Sequence, residues 1–202
     1  MQTSDTYNTI ESKCVGEVFK NKKSKFIGIS VPVNQEDLIP IQLEIIKKEF
    51  KNANHYCYAY KIGIENYKYR TNDDGEPRHS AGNPILGQIE SYKLTNVLIV
   101  VVRYYGGVKL GVGGLINAYK NTTKLVLNTS NIITKRIDYN YEVEFGYEYM
   151  DIVMRLLGQL QANNIKINQS TSCKVQFSVR KKYESRVEDI FKEFYEINLE
   201  KL

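Results

Sequence analysis

The sequence contains no apolar run long enough to cross a membrane. Its longest, residues 97–102, is about a third of what a bilayer-spanning helix needs. Residues 1–11 are polar and contain no apolar core of the kind found in export signals. The three cysteines, Cys14, Cys57 and Cys173, are far apart in the chain. Their spacing excludes a disulfide framework and a four-cysteine zinc site, and it is typical of a reducing compartment. We therefore expect a soluble, cytoplasmic protein with no membrane partner.

Histidine is scarce and the common nucleotide-binding motifs are absent. His55 and His79 are the only two histidines, and they form neither an HxxxH nor an HExxH pair. No Gly-Lys-Ser or Gly-Lys-Thr end of a Walker A motif occurs. A dinucleotide motif that begins at Gly111 would need glycine where Ile116 stands. The sequence therefore predicts no cofactor and no metal site.

Positive charge is concentrated in the first two thirds of the chain. The formal net charge is +5, and 42% of the 202 residues are hydrophobic, which is typical of a globular protein. Residues 1–136 carry 19 basic and 12 acidic side chains, whereas residues 137–202 carry 9 and 11. This asymmetry indicates an anionic partner for the first part of the chain.

Hydrophobic periodicity predicts an α/β (α+β) protein of two domains, the first spanning residues 1–135. The strands of this domain are expected at residues 14–19, 25–33, 55–64 and 97–102, the first two forming a hairpin. The helices are expected at residues 36–50, 84–92 and 115–127. Residues 65–83 are expected to form a polar loop. The continuous apolar run at residues 97–102 is typical of a strand that is buried on both faces.

The second domain is predicted over residues 136–202. Its strands are expected at residues 139–145, 165–168 and 174–180, with helices at residues 149–160 and 183–194 and a short final strand. The order βαββα, ending in β, is typical of the ferredoxin-like arrangement.

A glycine-rich loop follows the predicted buried strand and precedes a helix. Such a loop lets backbone N–H groups approach an anion, and the dipole of the following helix adds to the attraction. Glycines also serve tight turns and close packing without any ligand. RNA phosphate, with Arg103 and Lys109 nearby, and a phosphorylated small molecule or nucleotide both remain open as ligands. The glycines concerned are Gly106, Gly107, Gly111, Gly113 and Gly114.

Lysines cluster at the turn of the predicted first hairpin, among them Lys22, Lys23 and Lys25. A basic hairpin can contact phosphates and so position a nucleic acid without reading its sequence. A solvated face is the alternative. Charge alone does not separate the two.

Two further groups of residues allow a catalytic and a structural interpretation. Asp73, Asp74 and Glu76 could hold a metal ion, or they could cap backbone N–H groups of a turn. His55 and Cys57 project from the same face of a strand and could form a thiol–imidazole pair. The structural interpretation is favoured for both groups. The acidic residues then cap a turn, and Cys57 is a small buried residue.

Several short motifs follow one another between residues 55 and 119. They are His55-x-Cys57-x-Ala59-Tyr60, Asp73-Asp74-Gly75-Glu76-Pro77, Ala81-Gly82-x-Pro84-Ile85-Leu86, Arg103-Tyr104-Tyr105-Gly106-Gly107-x-Lys109-Leu110-Gly111-x-Gly113-Gly114-Leu115 and Ala118-Tyr119. In this order and spacing they resemble the IMPACT/YigZ family, over about residues 13–128. The remainder resembles the small domain that bacterial members carry. One departure is His79-Ser80, where the family usually has Gly-Thr.

The resemblance implies a first domain similar to the second domain of a small-subunit ribosomal protein. It implies a ferredoxin-like second domain similar to the last domain of elongation factor G. Eukaryotic relatives regulate translation, and no catalytic residues are established for the family. Likeness to translation factors is an analogy of fold.

Charge and resemblance together predict a non-enzymatic RNA- or ribosome-binding protein that modulates translation, with a protein partner in translation as a further expectation. The predicted phosphate contacts are Lys22, Lys23, Lys25, Arg103 and Lys109. The alternative is an enzyme or binding protein for a phosphorylated small molecule that uses the glycine loop. A third hypothesis is a protein-interaction module that docks through the acidic second domain.

Overall fold

Two compact units make up the part of the chain that the computed structural model describes, which is residues 5–169 and 172–202. One unit is formed by Tyr7–Lys135, and the other by Arg136–Leu202 together with Asp5 and Thr6. Both are mixtures of helix and sheet. In this described part, every helix is too short or too polar to span a bilayer.

The larger unit contains a main antiparallel sheet and a separate two-stranded sheet. Its strands are β1 Thr6–Ile10, β2 Cys14–Val15, β3 Phe19–Asn21, β4 Ser24–Pro32, β5 His55–Ile62, β6 Lys68–Asn72, β7 Val97–Tyr104 and β8 Ile132–Arg136. Its helices are α1 Leu38–Glu49, α2 Gly82–Ser91 and α3 Gly111–Thr129. The main sheet has the order β2-β4-β7-β5-β6, and β3 pairs with β4, while β1 pairs with β8 in a separate small sheet.

Strand β7 lies in the middle of this sheet and is buried on both faces, as its apolar run predicts. Leu98 and Val100 pack with residues of α1 on one face, whereas Ile99 and Val101 pack with residues of α2 and α3 on the other. Continuous apolar strands are typical of parallel sheets. This strand is antiparallel to both neighbours, and its composition follows from the helices that cover both faces.

Two sequence predictions on strands are corrected by the structure. Residues 65–83 are not all loop, because β6 forms the edge of the sheet within them. Its side chains are exposed or half-buried, so it lacks the alternation that reveals a strand. The strand predicted at residues 14–19 is interrupted where Gly16 packs against the backbone of Val126. Strands β1 and β8 escaped prediction.

The predicted loop at residues 106–114 is shorter than expected. Helix α3 begins at Gly111, so Gly113 and Gly114 are helical and belong to its first turn. Gly111 and Val112 are exposed, and the buried positions of the helix begin at Leu115. Apolar periodicity therefore detects the helix only from Leu115 onwards.

The smaller unit contains a four-stranded antiparallel sheet with two helices. Its elements are β9 Asp138–Phe145, α4 Met150–Gln159, β10 Asn163–Gln169, β11 Cys173–Arg180, α5 Glu184–Phe191 and β12 Asn198–Lys201. The sheet order is β10-β11-β9-β12. Val143 of β9, Val175 of β11, Val153 of α4 and Val187 of α5 share one core, so both helices cover the same face of the sheet.

Candidate functional site

Three side chains stand next to one another at one end of the large sheet. In the antiparallel register, Arg103 of β7 is opposite Phe26 of β4 on one side and His55 of β5 on the other. Phe26 belongs to the core formed with α2 and α3. Because directly opposite residues project to the same face, this row faces those helices.

Arg103 forms a buried ion pair with Glu76. Its Nη1 donates to Glu76 Oε1 over 2.5 Å, and the two side chains are only 5% and 4% exposed. The hydroxyl of Tyr119 in α3 donates to the same carboxylate oxygen over 2.7 Å. Burial raises the pKa of Tyr119, so this hydroxyl keeps its proton. The pair therefore connects the loop that carries Glu76 to both the sheet and α3.

Asp73 organises the loop that precedes α2. Its Oδ1 accepts hydrogen bonds from the backbone N–H groups of Ala81, at 3.0 Å, and Gly82, at 2.8 Å. Its Oδ2 accepts one from the N–H of His79 at 2.7 Å. The carboxylate thus satisfies N–H groups that the start of a helix leaves free, which agrees with the capping interpretation.

The other carboxylates of the acidic loop, residues 73–76, are engaged by groups of the protein itself. The carboxylate of Asp74 accepts a hydrogen bond from the N–H of Tyr56 at 2.6 Å, and that of Glu76 is paired with Arg103. Among residues 5–169 and 172–202, no group of three or more His, Cys, Asp and Glu is arranged to hold a metal ion.

His79 has a left-handed backbone, with φ of 62°. Glycine, which the resemblance described above leads us to expect at this position, adopts this conformation without steric strain, whereas histidine does so at some cost. The imidazole Nδ1 lies 3.0 Å from the side-chain amide of Asn83, outside the buried network. The histidine that departs from the expected glycine therefore lies in an exposed part of the loop.

Cys57 and His55 lie on one face of β5 but make separate contacts. Cys57 Sγ is 3.0 Å from the carbonyl oxygen of Asp73 and 3.2 Å from the Tyr119 hydroxyl. His55 Nδ1 is 2.7 Å from the carbonyl oxygen of Asp74. Burial raises the pKa of the Cys57 thiol, which disfavours the thiolate that a nucleophile needs.

The reactivity of the cysteines tests whether Cys57 is a buried structural residue or a nucleophile. In the folded protein at pH 8, iodoacetamide is expected to modify the half-buried Cys14 and to spare Cys57 and Cys173, which are buried. In urea all three should react. Peptide mass spectrometry measures the extent of modification at each cysteine. Rapid modification of Cys57 in the folded protein would instead favour a nucleophilic cysteine.

A cleft opens beside this network, at the start of α3. It has a volume of about 520 Å³, and its polar lining consists of His55, Glu76, Arg103 and Lys109. Its apolar lining consists of Pro77, Tyr105, Leu110, Val112 and Leu115. Residues from three separate motifs of the sequence therefore meet in one place. Tyr105 and Tyr119 were not predicted as site residues. Both stand inside the short motifs given above, those that contain Arg103 and Ala118, and that position is the sequence feature that could have identified them.

The hairpin turn lies beside the glycine loop. Lys22 and Lys23 both have positive φ, which is typical of a tight two-residue hairpin turn. A Cβ placed on Gly106 would be 2.1 Å from the carbonyl carbon of Lys23, so the two backbones are in direct contact. The Gly106 N–H also donates to Ser24 Oγ over 3.2 Å. The glycine at position 106 therefore permits this close approach.

The remaining glycines have different roles. Gly107 and Gly111 have positive φ, of 81° and 73°. Gly114 faces the Leu110 side chain at 3.1 Å from an added Cβ. Gly113 has neither a positive φ nor any atom within 4 Å of an added Cβ. Neither backbone conformation nor packing requires glycine at position 113.

Comparison with known proteins identifies the family. A family model described as the Impact N-terminal domain matches residues 22–127. The chain belongs to the IMPACT family. It is 32% identical to the IMPACT family member YvyE of Bacillus subtilis over 168 residues, covering 83% of this chain and 74% of that relative. It is also 32% identical to YigZ of Escherichia coli over 140 residues, covering 68% and 69%.

A solved structure shares the fold. A crystal structure described as that of a hypothetical protein matches with a TM-score of 0.71 and 24% identity, covering 98% of this chain and 97% of that one. The IMPACT match itself spans the hairpin turn, the buried network and the cleft. The candidate site thus lies within the residues that the family model matches, not in the C-terminal unit.

Proposed function

We propose that the protein is a non-enzymatic RNA- or ribosome-binding protein that modulates translation, and that the end of the large sheet contacts phosphates. The contact between Gly106 and Lys23 carries the proposal, because it brings the hairpin turn and the glycine loop together. Lys22, Lys25 and Lys109 are exposed at this end. We call Lys22, Lys23, Lys25 and Lys109 the lysine surface.

The lysines of this surface are available to a ligand. In the part of the chain that the structure describes, none of the four has a side-chain hydrogen bond or an ion pair, in contrast to Lys13, which pairs with Glu49. A lysine that is not held in an ion pair can neutralise a phosphate without first breaking one. Phosphate contacts of this kind give affinity and little sequence specificity.

Arg103 has a different role in this proposal from the one its sequence suggests. Its guanidinium is buried against Glu76 and lies 5.3 Å from the ring centres of both Phe26 and Tyr105. An RNA backbone that lies on the surface contacts exposed lysines first. Arg103 then holds the acidic loop and the floor of the cleft in place.

The proposal extends to the identity of the two units. The larger unit, we propose, is an IMPACT-type domain similar to the second domain of a small-subunit ribosomal protein. The smaller unit is ferredoxin-like, because its βαββαβ order and the sheet order β10-β11-β9-β12 fit that arrangement. Similarity of this unit to the last domain of elongation factor G, and a protein partner in translation, are part of the same proposal.

Salt-dependent RNA binding tests the lysine surface. We expect the full chain to bind a fluorescently labelled structured RNA in anisotropy titrations, with affinity that falls as salt rises. The double variant Lys22→Glu/Lys23→Glu should lower affinity at least tenfold and reduce the slope of log affinity against log salt by about two. Both positions already have a non-glycine residue with positive φ, so the turn should persist.

A matched variant controls for the change in net charge. Lys120→Glu/Lys124→Glu makes the same change on exposed positions of α3, about two and a half and three and a half turns from its start. It should leave the salt slope nearly unchanged. Equal losses in the two double variants would mean that net charge, and not the lysine surface, attracts RNA. Absence of binding at low salt would refute RNA binding altogether.

A further inference from the structure

We propose that the cleft at the start of α3 binds a nucleotide, with a phosphate at the helix N-terminus and a planar base against Tyr105. The nucleotide is either a free nucleoside monophosphate or an unpaired residue of an RNA. The proposal goes beyond the lysine surface, because it assigns a ligand to the cleft lined by Arg103 and Leu115 rather than to the exposed lysines.

The phosphate end is formed by the first turn of α3. This helix is 19 residues long, and its N-cap residue Leu110 provides no side-chain hydrogen bond to the N–H groups that follow. Gly111 and Gly113 are exposed there, with no side chain to cover the backbone. Free N–H groups and the positive end of the helix dipole favour a phosphate, and Lys109 adjoins them.

Arg103 provides an independent indication of a ligand. Its side chain is 95% buried, it lines the cleft, and its Nε has no hydrogen-bond partner among the described residues. A guanidinium has five N–H donors, and among the described residues the side-chain hydrogen bond of Arg103 is the one from Nη1 to Glu76. Buried donors without partners are rare in folded proteins. A polar group in the cleft would accept hydrogen bonds from the guanidinium N–H groups that face it, whereas Nε is itself fully buried.

Glu76 also lines the cleft, and its charge must be considered for an anionic ligand. Its Oε1 already accepts hydrogen bonds from Arg103 and Tyr119, and His55 Nε2 is 4.0 Å away. The carboxylate is therefore largely compensated by neighbouring groups. The phosphate is placed at α3 and Lys109, while Arg103 and Glu76 face the base and the sugar.

The base end is apolar and aromatic. Tyr105 is 43% exposed and Val112 is 53% exposed, although both are large hydrophobic side chains. Leu110 and Leu115 complete this wall. A volume of about 520 Å³ lies within the range of small-molecule sites. Stacking on an aromatic ring binds any base, because every base has a π-face.

Gly113→Asp tests the phosphate end without endangering the fold. A Cβ at this position meets no atom within 4 Å, and an acidic residue in the first turn of a helix is stabilising. Tyr105→Ala tests the base end. Gly87→Asp, at a similarly open position of α2, and Tyr69→Ala, at an exposed tyrosine of β6, are the controls.

Two ligand sets separate the sources of the nucleotide. Calorimetry with the full chain measures binding of AMP, GMP, CMP, UMP and inorganic phosphate. Anisotropy compares a labelled RNA hairpin that has an unpaired loop with a blunt duplex of the same stem. We expect at least one monophosphate to bind, or the hairpin to bind at least tenfold more tightly than the duplex. Gly113→Asp and Tyr105→Ala should each weaken that binding at least tenfold, and the controls should not.

The outcomes distinguish this proposal from the lysine surface. If hairpin and duplex bind equally, no monophosphate binds, and affinity depends on Lys22 and Lys23 alone, the cleft proposal is overturned and RNA binding stands. Nucleotide binding that persists in Gly113→Asp and Tyr105→Ala also overturns it. Monophosphate binding that both variants abolish, without any RNA binding, supports the cleft and refutes RNA as the partner.

Discussion

Glu76→Gln is expected to lower the free energy of unfolding by about 3–5 kcal/mol, because it leaves the buried guanidinium of Arg103 without a counter-charge. The amide has the same shape as the carboxylate and still offers an oxygen to Tyr119, so the change is mainly one of charge. Urea unfolding followed by circular dichroism measures the difference. Glu44→Gln, which breaks an exposed pair with Lys47, should change stability little.

A double variant separates the ion pair from other effects of the substitution. Replacing both partners, as in Arg103→Met/Glu76→Leu, removes the buried charges together and should recover much of the lost stability. Equal or greater destabilisation in the double variant would show that the pair is not the reason for the loss. A loss below about 1 kcal/mol in Glu76→Gln would mean that the guanidinium finds water or another partner.

Gly106→Ala is expected to destabilise the larger unit by about 3 kcal/mol or more. The new Cβ would lie 2.1 Å from the carbonyl carbon and 2.3 Å from the carbonyl oxygen of Lys23, both backbone atoms that cannot rotate away. The hairpin turn must therefore move from the glycine loop. We expect a lower urea midpoint, and a weaker affinity for structured RNA as the lysine surface separates.

Gly87→Ala is the matched control for that substitution. Gly87 lies inside α2, and an added Cβ meets no atom within 4 Å. Alanine should stabilise this helix by about 0.5–1 kcal/mol through its better helix propensity. If Gly106→Ala is as stable as the unsubstituted protein, then the turn and the loop are not held in contact, and the observation that carries the proposed function is lost.

The helices and the buried strands follow from local patterns in the sequence. The stripe of Ile39, Leu43 and Ile46 predicts α1, and the run at residues 97–102 predicts β7, because each pattern reports burial directly. Edge strands are harder to predict from the sequence. Strand β6 and the short β2 have few buried side chains, so their pairing is decided by partners that are distant in sequence.

For the candidate site, the sequence identifies individual residues, but only the fold shows which of them are neighbours. The sequence singled out His55, Glu76 and Arg103 as separate candidates, yet no local pattern links them. The register of β5 with β7 and the capping by Asp73 bring them within contact of one another. The ligand of the site, the protein partner and the translational role stay predictions.

Local periodicity and the short motifs were sufficient for the family, the mixed α/β class and the order of most elements, because these depend on which residues of one segment are buried. The chemistry at Arg103 and Cys57 was settled only by packing, because burial removes water and assigns each group its partner. The contact of Gly106 with Lys23 likewise joins positions that are 83 residues apart, and only the folded sheet brings them together.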